Sequence, residues 1–254
     1  MTRAPPWAPP LLALQFLTRV PVPLLARLSG EQAADGLARA MAWLPPVGSL
    51  IGLLTAGVFA GAGALWPPVV AAVLALMVEG LLTGAFHEDA VADFCDAFGG
   101  TAQGETALRI MKDSRIGSYG TLGLGLAVAL RLAAMAALPV ELAAGAIVAA
   151  ATMGRLWAVV LAGIVAPVRG DGMAVRAGKV PFGRILLAVM LALPGVVPLA
   201  MLRPMPVLAC VLVGAGFLLW LAAFLRRRIG GSTGDCLGFA AYVGQLVVLL
   251  AAAA

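Results

Sequence analysis

Apolar residues run along this chain in long continuous blocks, without period-two alternation of apolar and polar positions. A helix needs about 20 mostly apolar residues to cross a bilayer, and only helices and closed barrels satisfy their backbone hydrogen bonds in lipid. Because barrel strands alternate, continuous blocks predict an all-α, polytopic integral membrane bundle with about seven transmembrane helices. We expect a single membrane-embedded domain, 1–254, with spans at 44–65, 67–86, 119–138, 140–166, 184–202, 205–225 and 236–254.

Composition agrees with this class. The chain is 62% hydrophobic and 11% charged, more apolar surface than a soluble core of this length could bury. The shorter segment 11–25 carries Gln15 and Arg19, so we expect it to lie at the interface or to enter the membrane partway. Its apolar run is broken by Pro21 and Pro23 and has no small-residue cleavage site, so a removable signal peptide is not expected.

Basic residues distinguish the two sides of the predicted membrane. Fourteen of the 17 lysines and arginines lie in the N-terminal segment and in the second, fourth and sixth loops between the predicted spans. The first, third and fifth loops contribute only Arg203. Since short cytoplasmic loops accumulate Lys and Arg, we expect the N-terminus and all long polar loops to face the cytoplasm of a bacterial inner membrane. The scattered charge, without interleaved aromatics, argues against a nucleic-acid partner. The fourteen are Arg3, Arg19, Arg27, Arg39, Arg109, Lys112, Arg115, Arg169, Arg176, Lys179, Arg184, Arg226, Arg227 and Arg228.

Glycines and ionisable residues also occur inside the predicted spans. Four glycines of the first span recur near four-residue spacing, which permits close helix contact in lipid. Ionisable side chains at membrane depth are costly, so Glu79, Arg131 and Arg155 are expected to face the bundle interior. An ion pair between Glu79 and one of the arginines is favoured over a substrate role. The four glycines are Gly48, Gly52, Gly57 and Gly61.

The residues that carry chemistry are concentrated at 87–96. The chain has only 12 acidic residues, yet four stand within nine consecutive positions beside the sole histidine, His87. If the helix of the second span continues through this run, Asp89, Asp93 and Asp96 lie within about 60° of one another and repel unless a cation joins them. Carboxylates, water and phosphate oxygens are the usual ligands of Mg²⁺, so we predict a Mg²⁺ site and phosphoryl transfer. The predicted metal ligands are Glu88, Asp89, Asp93 and Asp96.

Two further polar runs provide candidate phosphate ligands. The first precedes a Gly-Ser-Tyr-Gly turn at 117–120, and its arginines and lysine suit phosphate. The second, 230–235, combines Gly, Ser and Thr as in an anion-binding nest but has no Walker A pattern. The predicted substrate- or phosphate-binding residues are Arg109, Lys112, Asp113, Ser114, Arg115, Ser118, Thr233 and Asp235. The predicted catalytic residues are His87, Glu88, Asp93 and Arg115.

Each of these features also has a purely structural interpretation. The acids can form a solvated helix end, and His87 can be a satisfied histidine near the interface. Lys112 can be an ordinary positive-inside anchor. Asp235 can cap the last helix, an interpretation as well supported as a role near metal or nucleotide.

Several runs resemble the cobalamin synthase family, the membrane adenosylcobinamide-GDP ribazoletransferases. The most specific are HEDAVADFCD at 87–96, with Gly99 and Gly100 after it, and IMKDSRIGSYG at 110–120. FLTRVPVP at 16–23, LPPVG at 44–48 and GGSTGD at 230–235 are also similar, so the resemblance covers most of the chain. Two positions depart from the pattern: Ala90 and Ala97 stand where the family usually has glycine.

The resemblance implies a reaction that depends on Mg²⁺ and uses adenosylcobinamide-GDP and α-ribazole, or its 5′-phosphate, as substrates. A ribose hydroxyl would attack the cobinamide-linked phosphorus, releasing GMP and giving adenosylcobalamin or its phosphate. One alternative is a CDP-alcohol phosphotransferase, although the D-x₂-D-G-x₂-A-R run of that class is missing around Asp93. Another is a cation transporter that uses the acids as its pathway. A homo-oligomer is possible.

Overall fold

A computed structural model describes residues 3–168 and 178–254. Those residues are helical apart from turns, loops and one isolated β-bridge between Pro167 and Ser232. Short 3₁₀ helices, Pro23–Arg27 and Met41–Trp43, flank α2. The α-helices of the described ranges are α1 (Ala8–Leu17), α2 (Gly30–Ala40), α3 (Leu44–Gly63), α4 (Pro68–Thr83), α5 (Phe86–Gly99), α6 (Gly104–Met111), α7 (Ser118–Ala136), α8 (Val140–Ile164), α9 (Phe182–Leu202), α10 (Pro204–Arg228) and α11 (Gly234–Ala253).

The predicted spans correspond to α3, α4 and α7–α11, with ends that agree to within three residues. Within the described ranges, six helical stretches are long and apolar enough to cross a membrane, and the bent pair α4–α5 makes a seventh if it counts as one span. The all-α membrane class is therefore confirmed. The cytoplasmic orientation of the loops stays a prediction, and two of its basic residues, Arg169 and Arg176, lie outside the described ranges.

Helix ends follow from local sequence. Pro68 and Pro204 stand in the first turns of α4 and α10, where a missing backbone N–H removes no helical bond. At the start of α2, Ser29 accepts from the backbone of Gln32, whose side chain accepts in return from the backbone of Ser29. The segment predicted at the interface, 11–25, contains the end of α1, which at 10 residues is too short to cross a bilayer.

Helix α8 forms the centre of the bundle, buried along most of its length against α3, α9 and α11. A Cβ at Gly48 would lie 2.6 Å from the carbonyl oxygen of Ala151, and one at Gly52 would lie 2.8 Å from Cα of Val148. The predicted close packing of glycines is thus confirmed at these two positions. It is wrong for the other two, since the Cβ positions of Gly57 and Gly61 face open space. Only the face of α3 that meets α8 requires glycine.

Helices α7, α9 and α10 lie at the periphery and expose large apolar side chains. Leu122, Met190 and Leu212 are examples, one from each helix. Such faces are suited to contact with lipid acyl chains. The polar residues of the candidate site therefore lie at helix ends and in loops, or face the interior of the bundle.

Candidate active site

Helix α5, which carries the acidic run, is not a continuation of α4. The two axes are bent by 89° at the break. Gly84 (φ 73°) and Ala85 (φ 55°) both adopt the left-handed conformation there. For Ala85 this conformation costs about 1–2 kcal/mol, so tertiary contacts must stabilise it; one is the 2.7 Å bond from the backbone N–H of Arg19 to the carbonyl of Leu82. The prediction that the second span continues as a helix through 87–96 is wrong, but the acids still share one helix.

Two aspartates of α5, Asp89 and Asp93, lie near Asp235, which stands in the first turn of α11. The charges of Asp89, Asp235 and Asp96 all act on the carboxylate of Asp93, and the charge of Asp89 also acts on Asp235. Carboxylates whose negative charges act on one another in this way repel each other. In the described part of the chain, no group of three or more His, Cys, Asp or Glu side chains is arranged to hold a metal ion by itself.

Asp96 uses both carboxylate oxygens to hold the start of α7. Oδ2 accepts from the backbone N–H of Gly117 at 2.7 Å, and Oδ1 accepts from that of Gly120 at 2.8 Å. These bonds satisfy two N–H groups that lack helical partners and place a negative charge at the positive end of the helix dipole. Asp96 therefore fastens the 110–120 segment to α5. Its predicted role as a metal ligand stays a prediction.

Glu88 lies on a different side of α5 from the aspartates, about 100° from Asp89 on an ideal helix. Its Oε1 accepts from Nη1 of Arg131 at 3.2 Å. Nη2 of the same guanidinium donates to both oxygens of Glu79 at 2.8 Å. The predicted ion pair of Glu79 is thus confirmed, with Arg131 as the partner rather than Arg155. Sequence analysis did not identify Arg131 as a neighbour of the acidic run.

His87 is buried and only 4% exposed. On an ideal helix it lies about 160° from Asp89, on the side of α5 opposite the aspartates. Its ring contacts Phe86 edge-on at 5.4 Å between centroids. The charges of Arg155 and Arg131 act on this imidazole. The structure therefore does not bring His87 to the aspartates, and its catalytic role stays a prediction.

The segment between α6 and α7 is exposed and carries a forked ion pair. The guanidinium of Arg115 donates from Nη2 to Oδ2 of Asp113 at 2.6 Å and from Nε to Oδ1 at 3.0 Å. These bonds, together with one from the backbone N–H of Arg115, lower the pKa of Asp113 to about 2. The other predicted phosphate ligands of this segment are exposed as well: Arg109, Lys112, Ser114 and Ser118.

Thr233 connects the start of α11 to the end of α6. Its Oγ1 accepts from the backbone N–H of Cys236 at 3.3 Å, which caps α11, and lies 3.0 Å from Sδ of Met111. The hydroxyl predicted to bind phosphate is thus used as a helix cap. Gly230, at φ 75°, provides the left-handed turn before it.

Two sets of hydrogen bonds to backbone carbonyls connect further segments to the region around the acidic run. Arg228, at the end of α10, donates from Nη2 to the carbonyls of Gly100 at 3.1 Å and Ala102 at 2.7 Å. The backbone N–H of Val168 donates to the carbonyl of Ser232 at 2.9 Å. Sequence analysis assigned Arg228 only to membrane topology. The structure thus gathers the acidic run, the 110–120 segment, the 230–235 turn and the beginning of the fourth loop.

A family model described as cobalamin-5-phosphate synthase matches residues 9–253, nearly the whole chain. The chain belongs to the cobalamin-5-phosphate synthase family. The resemblance recognised in the sequence is confirmed.

Relatives of this cobalamin-5-phosphate synthase family member are similar along its length. The adenosylcobinamide-GDP ribazoletransferase of Shewanella amazonensis is 39% identical over 249 residues, covering 94% of this chain and 92% of that protein. The protein of the same name from Bradyrhizobium diazoefficiens is 40% identical over 246 residues, covering 96% and 92%. That from Ralstonia nicotianae is 39% identical over 252 residues, covering 94% and 92%. No solved structure matches the chain.

The structure explains how this member of the cobalamin-5-phosphate synthase family accommodates Ala90. This side chain is buried between α5 and α11 and faces Gly238, where an added Cβ would lie 2.5 Å from that of Ala90. The glycine on α11 leaves the space that the methyl group occupies. Nearby, the rings of Phe94 and Phe239 stack at 3.8 Å between centroids. The alanine therefore does not prevent α5 and α11 from approaching closely.

Proposed function

We propose that this protein is a Mg²⁺-dependent phosphotransferase that joins adenosylcobinamide-GDP to α-ribazole, or to its 5′-phosphate, and releases GMP. The observation that carries the proposal is the grouping of Asp89, Asp93 and Asp235 next to the polar 110–120 segment. Its support from relatives is the name adenosylcobinamide-GDP ribazoletransferase on proteins up to 40% identical over almost the full chain.

The aspartates fit Mg²⁺ by their chemistry, since carboxylate oxygens are hard ligands. We propose that one or two of the carboxylates of Asp89, Asp93 and Asp235 bind the ion, because Glu88 and Asp96 already bind a guanidinium and backbone N–H groups. Sequence analysis placed Asp235 with the phosphate ligands, but a carboxylate beside other carboxylates suits a cation better than an anion. Mg²⁺ usually keeps several waters and binds through one or two carboxylates plus phosphate oxygens, so a closed protein cage is unnecessary.

In the proposed reaction, a ribose hydroxyl of α-ribazole forms a bond to the cobinamide-linked phosphorus of the diphosphate. The bond from that phosphorus to the bridging oxygen breaks, GMP leaves, and the hydroxyl loses its proton. Bound Mg²⁺ supplies neutralisation of charge on the diphosphate. The exposed cations of the 110–120 segment and of α6 bind and orient phosphate oxygens, with Lys112 contributing a point charge and Arg115 the guanidinium N–H groups that Asp113 leaves unused.

The two alternative functions receive no support from the relatives. Their names describe neither a CDP-alcohol phosphotransferase nor a cation transporter. We propose that the protein is embedded in the bacterial inner membrane with this site on the cytoplasmic side, as the distribution of lysine and arginine indicates.

The proposal is tested with purified protein in detergent, adenosylcobinamide-GDP, α-ribazole and Mg²⁺. GMP and a cobalamin product, measured by chromatography, are expected to form in equal amounts. Chelation with EDTA should stop both, and added Mg²⁺ should restore them. A CDP-alcohol offered with the same acceptor should give no product. If the wild-type protein releases no GMP at saturating Mg²⁺, the proposal is overturned.

A further inference from the structure

A group of charged and polar side chains inside the bundle joins five helices near the break between α4 and α5, and we call it the charged junction. Arg131 of α7 bonds to Glu79 of α4 and to Glu88 of α5. Thr55 of α3 donates to Oε2 of Glu79 at 2.8 Å, and Cζ of Arg131 lies 5.6 Å from the ring centroid of Tyr242 on α11. The side chains of Arg131 and Glu79 are only 4% and 5% exposed.

One guanidinium in this junction serves two carboxylates on two different helices. Nη2 is directed at Glu79 and Nη1 at Glu88, so both terminal nitrogens of the guanidinium are used. Without it, two negative charges would face each other in a medium of low dielectric constant, which costs several kcal/mol per ion. Arg131 therefore connects α4 to α5 across the break.

That connection is important because the regular helix is interrupted at the break, so contacts made by side chains contribute to the rotation of α5. Gly84 and Ala85 are left-handed; the backbone N–H of Ala85 donates back to Gly80 at the end of α4, and the N–H of Asp89 donates to Ala85 at the start of α5. Glu88 and Asp89 are consecutive, so any rotation of α5 that moves one moves the other by the same angle. The bond from Arg131 to Glu88 thus contributes to the direction of Asp89, together with the bonds of Asp96 to the start of α7 and the packing of α5 against α11.

We infer that Arg131 and Glu88 are positioning residues, which hold α5 so that Asp89 and Asp93 face Asp235. The inference rests on the proposed function and replaces the predicted role of Glu88 as a metal ligand. Arg131 is anchored on Glu79 and transmits that anchor to α5 through Glu88.

The test compares Arg131→Lys, Glu88→Ala and Glu88→Gln. A lysine keeps the buried charge but cannot bridge both acids, and alanine removes the acceptor on α5. Both variants are expected to raise the Mg²⁺ concentration for half-maximal GMP release about tenfold or more. The amide introduced by Glu88→Gln still offers its oxygen to Arg131, so this third variant should recover most of what Glu88→Ala loses.

A second readout needs no activity. Cys95 of α5 is partly exposed and packs against Gly123 of α7, whereas Cys210 and Cys236 are fully buried. Its rate of reaction with a maleimide therefore reports the rotation of α5. We expect a faster reaction in Arg131→Lys and Glu88→Ala than in the wild type.

Thr55→Val is the matched control. It removes one hydrogen bond of the same junction and lowers thermal stability, but it leaves both bonds of Arg131 in place. It should show wild-type Mg²⁺ dependence and a wild-type Cys95 rate. Equal losses in Glu88→Gln and Glu88→Ala would instead make Glu88 a ligand, and wild-type readouts in Arg131→Lys would overturn the inference. If the wild type released no GMP, the proposed function would fail, while the Cys95 rates would still decide whether Arg131 and Glu88 hold α5.

Discussion

Two sets of carboxylates include neighbouring residues of α5, Glu88 and Asp89, and have opposite surroundings. Glu88, together with Glu79, has a guanidinium within 3.2 Å and lies towards the interior. Asp89, Asp93 and Asp235 are influenced by one another's negative charges; Asp89 is exposed and the other two are partly buried. Acids of the first set are satisfied within the protein and stabilise its helices. Acids of the second set repel one another, and the Mg²⁺ ion that we propose would relieve this repulsion.

The largest expected effect is the loss of activity in Asp93→Asn. The substitution removes a charge from the second set, so GMP release should fall on the order of a thousandfold. Thermal stability should stay the same or rise, because repulsion with Asp89 and Asp235 decreases. Enzyme assays and thermal unfolding in detergent measure the two quantities. Glu105→Gln, on exposed α6, is the control and should change neither; full activity in Asp93→Asn would contradict the assignment.

For the first set, Glu79 and Glu88, we expect substitutions to change stability more than for the second set. Glu79→Gln leaves Arg131 buried with one full charge partner fewer, which should destabilise the protein by about 3–5 kcal/mol. Replacement of both Glu79 and Arg131 by methionine removes the two fully buried charges, leaves only the partly exposed Glu88 without its partner, and should cost less than the single substitution. Thermal unfolding in detergent provides the comparison. A double variant less stable than Glu79→Gln would show that the pair is not the source of the effect.

Asp96 lies between the two sets, since its partners are backbone N–H groups. In Asp96→Asn an amide NH₂ replaces one of the oxygens that accept from Gly117 and Gly120. The mismatched donor should cost about 1–3 kcal/mol and reduce GMP release only in part. Thr121→Val, which alters the same turn of α7 but retains both bonds of Asp96, serves as the control. Activity as low as in Asp93→Asn would indicate that Asp96 is a metal ligand after all.

The smallest effect is expected at the exposed pair of Asp113 and Arg115. The pKa of Asp113 is lowered to about 2, so the pair contributes stability above the ordinary pKa of 3.8 and loses it as the pH falls through about 2. Between pH 6 and 9 the contribution is constant and small because the pair is exposed, so Asp113→Asn should lower the melting temperature only slightly and by the same amount at every pH. Thermal melts across that range test this, and a pH-dependent difference from the wild type would contradict it.

The fold could be predicted from sequence because hydrophobic length is a local property. The blocks around α8 and α9, for example, gave boundaries close to Val140–Ile164 and Phe182–Leu202. The break at Gly84 and Ala85 could not be predicted, since an alanine with positive φ is selected by tertiary contacts rather than by its own preference.

The site was predictable only in part, for a similar reason. Asp89, Asp93 and Asp96 follow helical spacing, which a sequence shows directly, whereas Asp235 joins them from the opposite end of the chain. An arginine partner for Glu79 was expected, but the choice of Arg131 depends on which side of α7 faces α4. That side is set by the packing of the whole bundle.

The contact between Ala90 and Gly238 has a consequence for how the sequence can vary. The interface between α5 and α11 has space for one methyl group at this point, and it stands on α5 in this chain. A homologue with glycine at the position of Ala90 has space for alanine opposite. Substitutions at the two positions are therefore coupled. Whether a side chain larger than glycine fits at one position depends on which residue stands at the other.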